Sequence, residues 1–137
     1  MKKKQQKHPT QKPILDIISL GMLPHDVLIG IGMSGKEFRE QLEKRTTAKI
    51  LESDRDYFDS IDDTSGRTLQ TDNGVVYLWL KEHPTTPKAI ATLAHEATHA
   101  IHLVFKYRGI EYDPDENDEM LAYGVQFLVR TILDLYN

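Results

Sequence analysis

The segment from Pro84 to Gly109 constrains this chain more than any other, because it reads as one long helix with both ends marked. Pro84-Thr-Thr-Pro87 ends the run before it. Thr85 or Thr86 suits the cap, and Pro87 suits the first turn, where its missing N–H costs nothing. Ile90, Leu93, Ala94, Ala97, Ile101, Val104 and Phe105 recur at helical spacing. The helix extends to Tyr107 or Arg108, and Gly109 fits the position just past its end, where a left-handed residue closes the last turn.

The same helix carries Ala94-His95-Glu96-Ala97-Thr98-His99-Ala100, an H-E-x-x-H sequence. Four residues turn through about 400°, so His95 and His99 lie one turn apart on one face. Two imidazoles so placed can share one tetrahedral zinc ion, Zn2+. Glu96 is rotated by about 100° from His95, too far for a natural ligand on that face. It can instead border a metal-bound water and take its proton. A third ligand is needed, and Glu119 on the last helix is the leading candidate. Glu116 and Asp115 compete with it, although each has a helix-start role available. His102 extends the histidine face, but three histidines on one straight helix do not readily converge on one ion. Tyr123 and Tyr112 are candidates to donate a hydrogen bond to an oxyanion, and both also suit packing roles.

The flanking segments suggest an α+β domain. Pro13–Leu20 is the first ordered stretch and His25–Gly32 a short strand. Ser34 followed by Glu37 marks a helix start, running to about Arg45. Gly30 and Gly32 lack the third glycine and the frame of a phosphate loop. Asp54–Gly66 is acidic and rich in turn formers, and reads as an exposed loop. Arg67–Thr71 and Val75–Leu80 flank Asp72-Asn73-Gly74, a strong hairpin signal. Val75–Leu80 is so apolar that both its faces should be covered. His25 and His83 read as ordinary loop residues, and Trp79 as core. Asp113, Pro114 and Glu116 suggest the start of the last helix, whose stripe is Met120, Leu121, Val125, Leu128, Val129 and Ile132. Glu119, Tyr123, Gln126 and Arg130 fall on its polar face.

The 137 residues fit one domain over 13–137, preceded by a disordered basic tail over 1–12. With no cysteine, a metal here must use histidine, carboxylate or water. The tail holds five lysines, so the remainder, with 12 basic and 21 acidic residues, carries −9. That acidic body argues against nucleic acid as the main partner. Pro13–Leu23 is too short for a membrane span, and with no targeting segment visible a cytoplasmic location is the default. Nothing in the sequence signals an oligomeric state.

His-Glu-Ala-Thr-His followed by Glu119-Met-Leu-Ala122-Tyr123 resembles the gluzincin pattern of metallopeptidases. More narrowly, it is similar to small phage and prophage HExxH proteins of metallopeptidase type. The resemblance covers Leu93 to about Gln126. It implies a minimal gluzincin-like core, with the HExxH helix packed on an antiparallel C-terminal helix beside a small sheet. It also implies His95, His99 and Glu119 as ligands, Glu96 as general base, and Val75–Leu80 as the edge strand that binds extended peptide. The pattern departs where gluzincins often carry a ligand-orienting acid one turn after the third ligand. Tyr123 stands there, and Asp118 or a backbone carbonyl would have to serve instead. The implied function is zinc-dependent hydrolysis of a peptide or protein substrate. The alternative is a non-catalytic zinc protein, an accessory or regulatory factor of a phage or mobile element. A third reading takes the motif as accidental within a binding module.

Overall fold

Strand pairing explains the architecture best. The computed structural model describes residues 12–46, 50 and 52–136. Apart from Lys12, the basic tail lies outside the described residues. Four strands form one mixed sheet: β1 (Ile14–Ser19), β2 (Asp26–Ile31), β3 (Gly66–Gln70) and β4 (Val76–Leu80), in the order β1-β2-β4-β3. β1 and β2 are antiparallel, β2 and β4 parallel, and β3 and β4 an antiparallel hairpin. The hairpin turns at Asn73-Gly74, with Gly74 at φ +87°, where a side chain would be strained.

A sheet of this kind has two faces to cover. On one side Val27, Ile29 and Ile31 of β2 and Val76, Leu78 and Leu80 of β4 pack beneath α3 (Pro87–Tyr107) and α4 (Asp118–Asp134). On the other, Leu28, Leu69, Tyr77 and Trp79 pack against α1 (Gly35–Arg45) and α2 (Glu52–Asp59). β4 is buried along its whole length, and each of its large apolar side chains contributes about 1.5–3 kcal/mol through burial. Trp79 is core, its Nε1–H donating to Met33 O at 2.8 Å. Such a layered α+β arrangement leaves β1 and β3 as the sheet edges.

Three sequence expectations change here. β4 is central, paired on both sides, so Val75–Leu80 is not the edge strand. Asp54–Gly66 is not simply a loop: α2 covers most of its first half, a 3-10 turn follows at Ile61–Asp63, and Phe58 and Ile61 are buried. One buried aromatic anchors a short acidic helix that periodicity alone does not reveal. The last helix starts at Asp118, not at Pro114. Asn117 Oδ1 accepts from Asp113 N at 2.8 Å, and Asp113 O accepts from Asn117 N at 2.9 Å. This closed turn competes with helix and wins.

α3 matches expectation at both ends. Thr86 Oγ1 accepts from Ala89 N, and Gly109 takes φ +73°. α4 runs antiparallel to it. A Cβ at Gly124 would meet the Ile101 side chain, while Tyr136, just past the end of α4, bonds His83 ahead of α3. Among the described residues, no helix is long and apolar enough to cross a membrane.

Candidate functional site

α3 lies along the face of the sheet and buries Leu93, Ala97, Ala100, Ile101 and Val104. The helical repeat then turns His95 and His99 outward, where both are exposed. Their Nε2 atoms stand 3.2 Å apart, with the rings edge to face. Two ligands about 2.05 Å from a tetrahedral zinc ion stand about 3.3 Å apart, so the pair already has the spacing of one tetrahedral edge. Among the described residues no third His, Asp or Glu joins them in a metal-sized cluster. The residues present therefore fit two positions of a zinc site.

Glu96 occupies the flank of α3 that faces the β3 edge, and it is only 7% exposed. Burying a carboxylate is costly unless it is hydrogen-bonded. Thr68 on β3 meets that need: its Oγ1 lies 2.7 Å from Glu96 Oε1 and 3.0 Å from Glu96 O. Oε2 has no protein partner among the described residues, yet it is not among the sealed, unpartnered side-chain atoms. Glu96 lines an open groove with Gly66, Ala91, Thr92 and His95. Gly66 allows this close approach of strand and helix. A Cβ there would stand 3.0 Å from both Glu96 Cγ and Thr92 Cγ2.

The edge of β3 is open beside this groove. Lys81 N donates to Ser65 O and Thr71 N to Val75 O, so the odd-numbered residues from 65 to 71 pair inward with β4. The backbone N–H and C=O groups of Gly66, Thr68 and Gln70 therefore point away from it. Side chains alternate across the same strand, and those of Thr68 and Gln70 reach α3, the latter at Leu103 O.

The remaining candidates are gathered elsewhere. Glu119 is exposed in the first turn of α4. Since Gly124 packs against Ile101, the antiparallel run carries Glu119 toward the C-terminal half of α3, away from the histidine pair. Its neighbour Asp118 accepts from Tyr112 OH at 2.7 Å, and this bond pushes the Tyr112 phenol above its ordinary range. The Tyr112 proton is thereby committed to Asp118. His102 stacks edge-on against Tyr112. Tyr123 is 61% exposed and is not drawn into the groove beside Glu96. Glu116 and Asp115 are also exposed, in the turn before α4.

Two residues at the site escape a reading from sequence alone. Thr68 carries no motif, and only the pairing of β3 beside α3 reveals it. Gly66 ends an acidic, turn-rich stretch and looks like an ordinary turn residue. His25, expected as a loop histidine, is a buried pin at 8% exposure. Its Nε2 lies 2.8 Å from Gly74 O, and Arg108 Nε donates to its Nδ1 at 3.1 Å. Comparison with protein-family models, with curated proteins and with solved structures found no match.

Proposed function

We propose that this chain is a zinc-dependent hydrolase of peptide bonds, built on a minimal gluzincin-like core. Glu96 is the observation that carries the reading. It is a buried acid with one oxygen held by Thr68 and the other without a protein partner among the described residues, next to a histidine pair at ligand spacing. A structural role alone does not call for a carboxylate there.

His95 and His99 would hold the metal; the gluzincin resemblance assigns Glu119 as third ligand, although α4 carries that residue toward the far end of α3 from the pair in this structure. When bound, zinc supplies Lewis acidity toward a carbonyl oxygen and makes water acidic enough to lose a proton near neutrality. Glu96 would take a proton from the attacking water on its free oxygen and return it to the leaving amine. An extended peptide would pair with the open edge of β3, because β4 is occupied on both sides. Tyr123 remains the candidate donor to the oxyanion, from the exposed face of α4.

Metal analysis and one variant test this. Protein purified without added zinc should carry about one zinc per chain, or take one up on titration. Glu96→Gln should keep the zinc and lose hydrolysis of an unstructured protein substrate by about 100-fold or more. Turnover that survives this change removes Glu96 as the base. The second reading is a non-catalytic zinc protein of a phage or mobile element, favoured by the outward exposure of both histidines. It predicts zinc binding with no turnover at all.

A further inference from the structure

We propose that Thr68 is a positioning residue for Glu96, and that it couples peptide docking on β3 to the placement of the base. The inference rests on the hydrolase reading above and goes one step further, to a residue outside the H-E-x-x-H motif.

The Thr68 hydroxyl carries one proton. Thr68 Oγ1 lies 2.7 Å from Glu96 Oε1 and 3.0 Å from Glu96 O. It can donate to only one acceptor at a time, and the shorter, charge-assisted contact is to the carboxylate. That bond fixes one oxygen and so fixes the direction of the other. Glu96 has three rotatable side-chain bonds, and no other side chain among the described residues hydrogen-bonds its carboxylate. Gly66 adds a steric limit from the same strand, since its Cα side lies against Glu96 Cγ.

Thr68 also faces the substrate. Its backbone N–H and C=O belong to the outward set of β3, and are free of hydrogen bonds among the described residues. A peptide added as a fifth strand would bond to the same residue whose side chain holds the base. Pairing stiffens an edge strand, so docking would restrict Thr68 and through it Glu96. Binding along β3 and proton transfer at Glu96 then share one residue.

The test compares Thr68→Val, which keeps the β-branched shape, with Thr68→Ser, which keeps the hydroxyl. Both are measured as zinc-loaded full chains beside wild type and Glu96→Gln. Thr68→Val should lower kcat by about tenfold, a part of the general-base contribution, with KM and zinc affinity within about twofold of wild type. Thr68→Ser should restore most of the rate. In the metal-free protein, side-chain carbon relaxation by NMR should show Glu96 ordered in wild type and in Thr68→Ser, but mobile in Thr68→Val. Equal kcat in Thr68→Val, or an equally ordered Glu96, overturns the inference while leaving the hydrolase reading intact. A wild type that binds zinc but never turns over, or full turnover by Glu96→Gln, overturns the hydrolase reading and this inference with it.

Discussion

His25 and the His95/His99 pair are the same residue type in opposite circumstances. His25 is buried, and each ring nitrogen meets a group of fixed role: Gly74 O can only accept, and Arg108 Nε can only donate. Its tautomer is set by the fold. Arg108 also donates to Pro24 O, so the pin joins the β1–β2 turn, the hairpin and the end of α3. His95 and His99 are exposed, and their Nε2 atoms face one another. A histidine whose nitrogens are used up by the protein holds structure together. The exposed pair has only its own two Nε2 atoms facing each other at 3.2 Å, the spacing that the proposed zinc ion would use.

The contrast breaks most sharply if the two sites are exchanged in a stability experiment. At zinc about 100-fold above its dissociation constant, a bound site adds about 2.7 kcal/mol to unfolding. His99→Ala should remove that gain, while changing the metal-free protein by no more than about 0.5 kcal/mol, as for other surface positions. A zinc-dependent rise in Tm that survives His99→Ala would place the metal elsewhere. His25→Ala should do the reverse. It leaves Gly74 O and Arg108 Nε unpaired and should cost about 1–3 kcal/mol in denaturant unfolding, with the zinc response unchanged. Loss of zinc binding in that variant would erase the distinction. Glu119→Ala probes the ligand that the gluzincin resemblance assigns. If Glu119 is the third ligand, this change should weaken zinc by more than about tenfold, near 1.4 kcal/mol, whereas an unchanged titration would agree with its position away from the histidine pair.

The smallest effect concerns His83, bonded through Nδ1 to Tyr136 OH at 2.7 Å. Burial raises the Tyr136 phenol to about 12. Its ordinary value is about 10, so the unfolded chain loses this proton first. Folding stability contributed by this group is present below pH 10 and declines as pH rises from about 10 to 12. Tyr136→Phe should flatten that part of the stability profile. A profile as steep as that of wild type would show that Tyr136 is not the group responsible.

The sequence carried the local structure well and the lateral structure poorly. The ends of α3 were legible because Thr86, Pro87 and Gly109 act within one turn of their own positions. The hairpin was legible because Asn73-Gly74 specifies a tight turn. H-E-x-x-H exposed the histidine pair for the same reason, since its geometry is intrahelical. What stayed hidden was pairing between distant segments. That β2 inserts beside β4, and that Thr68 reaches Glu96, depend on contacts across 28 residues or more. Residues 113–117 misled differently: they spell a helix start, but a side-chain turn between Asp113 and Asn117 takes the place of that first turn.

β3 is short, lies at the rim of the sheet, and is paired on one side only, with β4. Rim strands open locally, at a free energy well below that of global unfolding. Amide hydrogens of Leu69 should therefore exchange faster than those of Leu78 on β4, and a mild rise in temperature should detach Thr68 before either core melts. Loss of the Thr68–Glu96 contact would then precede the loss of secondary structure, and a protein that still looks folded by circular dichroism would already have released the Glu96 carboxylate.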